Sequence, residues 1–263
     1  MVQEQSPWPS FVTSAKTSPM ASIESAALLA AGLGTRMRPL TDHTPKPLLR
    51  LGDRTLLDHA LDRFAEAGVQ RAVVNVHYEA EQITAHLAAR GGAPATTLRR
   101  EADLLDTGGA VAAALRSGFF GDAPFFIANS DSVWLDGPRP ALGRLAAALD
   151  DTADGVILVH RTFQVQADVG FGDFFLDTLG GLRRRREREI APYIYAGVTL
   201  ATPSLFDGFG AGRFSMNEVW DRGLATGRLR AVVHDGLWYH LSRPDDLEEA
   251  ECALAAQLTG PTT

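Results

Sequence analysis

A glycine-rich turn with two basic side chains is the part of this 263-residue sequence best suited to chemistry. It follows a short apolar run and reads LAAGLGTRMRPLT from Leu29 to Thr41. The stretch TPKPL, with Lys46 at its centre, comes shortly after it. The glycines at positions 32 and 34 let the backbone approach an anion and direct its N–H groups toward it. Arg36 can bind phosphate oxygens through paired donors, and Lys46, held between two prolines, adds a compact positive charge. The segment therefore predicts a polyphosphate site.

A second polar group follows an apolar stretch further along the chain. Residues 124–128 read PFFIA, and Asn129, Ser130 and Asp131 come directly after them. Carboxylate oxygens are the ligands that Mg²⁺ prefers, usually together with phosphate oxygens of a substrate. Asp131 is therefore a candidate metal ligand, and a structural aspartate in a strand-end turn is the alternative.

The elements predicted in the first half of the chain explain how these two groups meet. Strands are predicted at residues 26–30, 71–77, 96–100, 124–128 and 155–159, and helices at residues 56–67, 81–89, 110–115 and 141–149. Strands that alternate with helices are typical of an α/β fold with a mostly parallel sheet covered on both faces. Ligands bind such sheets beyond the carboxyl ends of the strands, where both polar groups lie.

The pattern changes after about residue 165, where β segments predominate. A hairpin is predicted from residues 171–177 and 182–188, further strands at 192–199, 230–234 and 237–241, and helices at 218–224 and 244–258. We interpret residues 1–22 as a flexible leader and residues 23–258 as one domain. Residues 23–160 form its nucleotide-binding part, and residues 161–258 form a smaller β-rich part with a closing helix.

Composition disfavours several classes of protein. The chain has 25 basic and 32 acidic side chains, a net charge of −7, whereas general nucleic-acid binding needs an excess of Lys and Arg. The single cysteine, Cys252, can form no internal disulfide and is expected to be a small core residue. No apolar run approaches the roughly 18 residues that span a bilayer, and no signal-peptide core is seen. We therefore expect no membrane partner and a cytoplasmic location.

The segment GLGTRMRPL, followed by PKPL, resembles the motif of sugar-1-phosphate nucleotidylyltransferases, which make nucleotide sugars from an NTP. It differs from the dinucleotide-binding Gly-x-Gly-x-x-Gly pattern because Met37 stands where the third glycine would be. It differs from a Walker loop because the lysine does not follow the last glycine directly. The resemblance runs from about Ala26 to Leu258. It implies a Rossmann-like sheet of the nucleotide-diphospho-sugar transferase type with a smaller sugar-binding β-rich extension.

The resemblance also implies which residues bind the nucleotide. They are Ala31, Gly32, Gly34, Thr35, Arg36, Glu101, Thr107 and Gly108. In the family a Thr-Gly-Gly stretch ahead of a helix holds the nucleoside, and its glycine lets the base come close. A helix N-terminus capped by Asp106 or Thr107 is the alternative for this stretch.

Sugar contacts are implied at Asn129, Trp134, Tyr195, Gly197 and Asn217. For Trp134 an ordinary buried aromatic residue is an equally good explanation, and for Asn217 helix capping is. Many family members also place a lysine from the second half of the chain on the acceptor phosphate. No lysine is present there, so an arginine from residues 183–186 or Arg243 is expected to replace it.

Asp131 and His240 are implied as metal ligands, and the second departs from the family pattern. Asp131 matches the Mg²⁺-binding aspartate, although Ser130 replaces the usual glycine before it. The family's Trp-x-Asp-x-Gly-Thr-Pro reads WYHLSRP from Trp238 here, so His240 stands at the aspartate position. Imidazole suits softer ions better, which makes Mn²⁺ an alternative to Mg²⁺. Binding through water, contact with the sugar phosphate, or an uninvolved strand-end histidine are the other interpretations of His240.

The implied reaction transfers a nucleotidyl group from an NTP to a sugar-1-phosphate and releases pyrophosphate, with Arg36, Lys46 and Asp131 as catalytic residues. The stretch from Phe214 to Arg222 is similar to that of muramate-type uridylyltransferases of cell-wall recycling. UTP and N-acetylmuramate-1-phosphate are therefore the expected substrates. A mannose-1-phosphate guanylyltransferase is one alternative, and a non-catalytic nucleotide-sugar sensor is an alternative of another class. We expect a monomer or homodimer.

Overall fold

The computed structural model describes residues 22–165, 167–177 and 181–258. Apart from Ser22, the predicted leader lies outside these residues. The strands are β1 (Ser25–Leu29), β2 (Arg50–Leu51), β3 (Arg54–Thr55), β4 (Arg71–Val76), β5 (Ala95–Arg100), β6 (Phe125–Asn129), β7 (Ser132–Leu135), β8 (Gly155–Arg161), β9 (Phe174–Leu176), β10 (Leu182–Arg184), β11 (Tyr193–Ala201), β12 (Leu229–Val233) and β13 (Leu237–His240). The α-helices are α1 (Leu56–Glu66), α2 (Ala80–Ala89), α3 (Asp106–Arg116), α4 (Ala141–Ala148), α5 (Met216–Ala225) and α6 (Pro244–Leu258). No helix in these residues is both long and apolar enough to cross a bilayer.

One mixed sheet of nine strands forms the centre of the part of the chain that the structure describes. Its order is β10-β9-β11-β6-β1-β4-β5, and β8 pairs with both β11 and β12. Strands β6, β1, β4 and β5 are parallel, while β11 runs antiparallel to β6 and β8. The predicted α/β fold is confirmed. Because β11 pairs directly with β6, strands from both halves of the sequence share this sheet.

Two apolar layers cover the faces of the sheet, since side chains alternate along each strand. On one face Leu28 of β1 belongs to the same cluster as Leu61 and Phe64 of α1. On the other face Ala27 belongs to a cluster with Val111 of α3. Full burial of a leucine or phenylalanine side chain contributes about 1.5–3 kcal/mol to stability. These layers therefore fix β1 and the glycine turn that follows it.

The closing helix α6 packs in a third, smaller cluster. Its Leu247, Ala250 and Leu254 contact a group of residues that includes Met37 of the glycine turn. Cys252 is exposed, so the prediction that it is a core residue is wrong. Each residue of a helix advances by about 100° around its axis, which places Cys252 about 200° from Ala250 and away from the packed side.

Strand β11 has an irregularity at Gly197, between the paired positions Tyr195 and Thr199. Gly197 has φ +81°, and a Cβ at this position would overlap the side chain of Ser132. Ser132 directly follows Asp131 in the turn between β6 and β7. The absence of a side chain at Gly197 therefore lets β11 approach the turn that carries Asp131.

Replacing Gly197 by alanine is expected to lower the free energy of unfolding by about 2–4 kcal/mol, because it adds both backbone strain and an overlap with Ser132. Urea unfolding measures the change. Gly118→Ala is the matched control, since Gly118 also has a positive φ of +75° but a Cβ there would meet nothing within 4 Å. An equal loss in the two variants would contradict a specific contact with Ser132.

Candidate active site

A cavity of about 490 Å³ opens beyond the carboxyl ends of β1, β4 and β6. This volume lies within the range of small-molecule sites. The predicted site residues in its wall are Ala31, Gly32, Gly34, Thr35, Arg36, Lys46, Glu101, Thr107, Asn129 and Asp131. The predicted residues outside its wall are Gly108, Trp134, Tyr195, Gly197, Asn217 and His240. The structure therefore brings the nucleotide candidates together in this wall, apart from Gly108, while most of the sugar candidates lie outside the wall. Gly197 is nevertheless packed against Ser132, the residue after Asp131.

The glycine turn is held by contacts on its protein side. Gly34 has φ +63°, and its carbonyl accepts a hydrogen bond of 2.8 Å from the Thr41 hydroxyl. Met37, in the short 3₁₀ turn Thr35–Met37, is fully buried. The Arg36 side chain is exposed and makes no hydrogen bond or ion pair with another described residue. It is therefore free to contact a ligand in the cavity.

Lys46 and Asp131 form an ion pair in the cavity wall. The Lys46 Nζ atom lies 2.5 Å from Asp131 Oδ2, across 85 residues of sequence. Lys46 begins a 3₁₀ turn between Pro45 and Pro47, and its side chain is 11% exposed. Asp131 is in the turn between β6 and β7, and its side chain is 36% exposed. The two groups predicted from separate motifs are thus in direct contact.

The Asp131 carboxylate is suited to bind a divalent cation that a substrate phosphate also binds. Within residues 22–165, 167–177 and 181–258, no three His, Cys, Asp or Glu side chains form a group that could hold a metal ion. Mg²⁺ commonly takes one or two protein carboxylates and completes its shell with substrate phosphates and water. A single cavity-lining carboxylate meets that need, whereas a resident metal centre would require more protein ligands.

His240, the predicted second ligand, does not share the wall with Asp131. It lines a neighbouring cavity of about 180 Å³, together with His160 and Trp238. Its Nε2 atom lies 3.0 Å from the hydroxyl of Ser242. Burial lowers the pKa of His240 below 6.5, although the nearby Asp131 carboxylate opposes this shift. The imidazole is therefore neutral at pH 7, and its Nε2 is occupied by Ser242.

Glu101 lies in the cavity wall and is only 5% exposed. Its Oε1 accepts a hydrogen bond of 2.7 Å from Asn75 Nδ2, and its Oε2 accepts one of 3.1 Å from the Leu105 N–H. Asn75 Oδ1 accepts a hydrogen bond of 2.8 Å from the Ala30 N–H. These bonds tie together the carboxyl ends of β1, β4 and β5. Asn75 also lines the cavity and was missed by sequence reasoning, although a polar side chain near the end of an apolar strand was an available signal.

Thr107 and Gly108 lie in the first turn of α3 and not in a loop ahead of it. Thr107 Oγ1 accepts a hydrogen bond of 2.9 Å from the Met216 N–H. A Cβ at Gly108 would lie 2.6 Å from the ring of Phe214. A side chain at position 108 would therefore collide with Phe214, and the predicted approach of the base to Gly108 stays a prediction. Leu105 is at the N-cap position and provides no side-chain cap, whereas Asp106 Oδ1 accepts a hydrogen bond of 2.6 Å from the Thr107 N–H in the first turn.

Two of the sugar candidates are explained by packing. Trp134 is 2% exposed and lies in the core, as the buried-aromatic alternative expects, and its predicted contact with the sugar stays a prediction. The hydroxyl of Tyr195 is 3.0 Å from Thr199 Oγ1, and its ring centroid is 4.4 Å from that of Trp220. Burial raises the pKa of Tyr195, so its hydroxyl keeps its proton at neutral pH.

Asn217 is exposed in the first turn of α5 and is engaged by a basic side chain. Its Oδ1 accepts a hydrogen bond of 2.9 Å from Arg184, which also pairs with Asp221 at 2.7 Å. Ser215, rather than Asn217, caps the helix. Asn217 therefore anchors Arg184.

Arg213 is a cationic wall residue that sequence reasoning missed. Its side chain is exposed and makes no hydrogen bond or ion pair within the described part of the chain. The loop that carries it is held against α3, because the Gly109 N–H donates to the Phe214 carbonyl at 3.0 Å. No local motif marks Arg213, since it reaches the site from a loop about a hundred residues away from Thr107.

Comparisons with known proteins give a matching family and similar relatives. Residues 26–197 match the MobA-like NTP transferase domain family. The chain is 40% identical over 235 residues to the N-acetylmuramate alpha-1-phosphate uridylyltransferase of Caulobacter vibrioides, covering 88% of this chain and 96% of that protein. It is 28% identical over 239 residues to the mannose-1-phosphate guanylyltransferase catalytic subunit beta of Drosophila melanogaster, covering 89% of this chain and 63% of that protein.

A solved structure has the same fold. HddC from Yersinia pseudotuberculosis, complexed with GMP-PN, matches with a TM-score of 0.70 at 19% identity, covering 88% of this chain and 100% of that one. The fold, the cavity and these matches define a nucleotidyltransferase. The chain belongs to the MobA-like NTP transferase family, which confirms the resemblance seen in the sequence.

Proposed function

We propose that this protein transfers a uridylyl group from UTP to N-acetylmuramate-1-phosphate, giving the UDP-sugar and pyrophosphate. The observation that carries this proposal is the Lys46–Asp131 pair beside the glycine turn in a cavity of about 490 Å³. The 40% identical relative named for this reaction supports the choice of sugar and base.

The proposed reaction depends on positive charge near the phosphates and does not need a general base. The attacking oxygen of a sugar phosphate is already ionised near neutral pH, so no side chain has to remove a proton. Two unit charges of the same sign about 4 Å apart repel by about 4 kcal/mol at an effective dielectric constant of about 20. Arg36 and Lys46 offset this repulsion and hold the triphosphate for in-line attack on its α-phosphorus. The glycine turn adds backbone N–H donors.

Asp131 is the residue that holds a divalent cation, Mg²⁺ or Mn²⁺, in this proposal. Such an ion, when bound, neutralises phosphate charge at the reacting group. Because His240 is outside this wall and is bonded to Ser242, we do not include it among the direct ligands.

Glu101 is the hydrogen-bond acceptor that we propose for the nucleobase. Each oxygen of its carboxyl group has one protein donor and keeps capacity for another. The ring N–H of uracil, thymine or guanine can donate to it, and so can the exocyclic amino group of cytosine, adenine or guanine. The choice of UTP therefore rests on the 40% identical relative and not on Glu101.

A mannose-1-phosphate guanylyltransferase is the second candidate function. Guanine satisfies the same Glu101 acceptor, and the relative from Drosophila melanogaster is named for that activity.

The test is a panel of UTP, GTP, CTP, ATP and dTTP against N-acetylmuramate-1-phosphate, mannose-1-phosphate and glucose-1-phosphate, with Mg²⁺ or Mn²⁺. Pyrophosphate release is measured and the nucleotide sugar is identified by mass spectrometry. We expect the highest kcat/KM for UTP with N-acetylmuramate-1-phosphate. A maximum for GTP with mannose-1-phosphate would establish the second candidate. Nucleotide-sugar binding without pyrophosphate release from any pair would identify a non-catalytic sensor.

Arg213 is our candidate for the cation that replaces the missing acceptor-phosphate lysine. Arg183 pairs with Glu189 at 2.7 Å, and Arg184 pairs with Asp221, so neither is free. Arg213→Met is expected to raise the KM for the sugar phosphate about tenfold, because one charge-assisted hydrogen-bond donor is lost. Arg243→Met is the control, since Arg243 is exposed and outside the cavity wall. A rise in KM only in the Arg243 variant would reverse the assignment.

A further inference from the structure

Two departures of this sequence from the family pattern are in contact with each other. His240 stands where the pattern has aspartate, and Ser242 stands where it has glycine. The Ser242 Oγ atom is 3.0 Å from His240 Nε2. Ser242 is 6% exposed and lines the nucleotide cavity, whereas His240 lies behind it on the neighbouring cavity. The group that this part of the chain presents to the nucleotide cavity is therefore a hydroxyl.

The backbone holds that hydroxyl near Asp131. Strand β13 is antiparallel to β7, and the pairing ends with His240 opposite Ser132. The next residues of the chain therefore pass the turn that contains Asp131. The N–H groups of Ser242 and Arg243 both donate to Asp246 Oδ2, at 2.7 and 2.8 Å. This clamp at the start of α6 keeps the Ser242 backbone in place.

The hydrogen bond between the two side chains can be made in two ways. If Nε2 carries the proton, the imidazole donates to Ser242 Oγ, and the hydroxyl proton is left to donate to another group. If Nδ1 carries the proton, Ser242 donates to Nε2 and presents only lone pairs to the cavity. An anionic phosphate in the cavity favours the first arrangement, because it needs donors.

We propose that Ser242 binds a phosphate oxygen of the nucleotide through its hydroxyl and that His240 is the positioning residue that orients this hydroxyl. The inference rests on the proposed function only in requiring a polyphosphate in the cavity. It assigns His240 a role through Ser242 and not as a metal ligand. The pair places a neutral hydrogen-bond donor where the family pattern has a second carboxylate.

Binding of inorganic triphosphate with Mg²⁺, followed by calorimetry, tests this without depending on the sugar or the base. Ser242→Ala removes one hydrogen bond to a charged group, and His240→Leu leaves the Ser242 hydroxyl without the partner that orients it, so each is expected to weaken binding about tenfold. Ser242→Thr keeps the hydroxyl, and His240→Gln keeps an N–H near the position of Nε2. Both conservative variants are expected to bind within about threefold of the wild type. Thermal unfolding of each variant checks that it is folded.

The double variant is the decisive measurement. Because both residues act through one hydroxyl, Ser242→Ala combined with His240→Leu is expected to bind no more weakly than the worse single variant. Additive losses, or unchanged binding by Ser242→Ala, would overturn the proposal. So would a loss of Mn²⁺ binding, measured by electron paramagnetic resonance without triphosphate, in His240→Leu but not in Ser242→Ala.

These results are separable from the test of the proposed function. A wild-type protein that binds triphosphate with the coupling described, but forms no nucleotide sugar, would refute the proposed reaction and leave the role of Ser242 intact. A wild-type protein that binds no triphosphate would refute both.

Discussion

Replacing Asp131 by alanine is expected to lower kcat about 10³-fold while the protein remains folded. The carboxylate is the one group in the cavity wall that we assign to the divalent cation, and the reaction brings a phosphate nucleophile onto a triphosphate. Without the cation, the repulsion between these anions is opposed only by the protein's own basic groups. The loss is therefore expected in kcat.

The KM for the NTP is not expected to rise in proportion, because alanine also removes a negative charge beside the incoming phosphates. Asp122→Ala is the control, since Asp122 is exposed and precedes β6, whereas Asp131 follows the other end of that strand. Initial rates of pyrophosphate release at saturating substrates, with circular dichroism for folding, give the comparison. An Asp131→Ala variant within about threefold of the wild-type kcat would remove the assigned role.

Replacing Lys46 by alanine is expected to lower kcat/KM for the NTP about 10²-fold, mainly through a higher KM. Two effects add in this variant. The ammonium no longer offsets phosphate charge, and Asp131, which loses its partner at 2.5 Å, repels the triphosphate. This rise in KM distinguishes the lysine variant from the aspartate variant.

Lys46→Arg is expected to restore only part of the activity, because the side chain is nearly buried between two prolines and a planar guanidinium does not replace a compact ammonium there. Arg38→Ala is the control in the same loop. Arg38 is exposed and its ion pair with Asp42 is on the surface, so its removal is expected to change kcat/KM by no more than about twofold. Equal losses in Lys46→Ala and Arg38→Ala would indicate a general effect of loop charge.

Much of the fold followed from the sequence because its signals are local. The apolar run of β1, the helix ended by Gly68 and the strand before Asp131 each depend on a few neighbouring residues. The rule that ligands lie at the carboxyl ends of parallel strands then put the glycine turn and Asp131 on one edge. Cys252 was misjudged because its neighbours are apolar, and which side of α6 packs depends on the rest of the molecule.

By itself, the sequence determined the α/β fold, the glycine turn and the identity of Lys46 and Asp131 as candidates, since backbone preferences and side-chain periodicity act over short stretches of chain. The packing of Phe214 against Gly108, the place of Arg213 in the cavity wall and the position of Ser242 in front of His240 came from the tertiary structure. The first two features depend on which distant segments lie next to each other, and the third depends on the path of the chain after β13. Such contacts depend on how the elements pack, and no short-range pattern in the sequence encodes them.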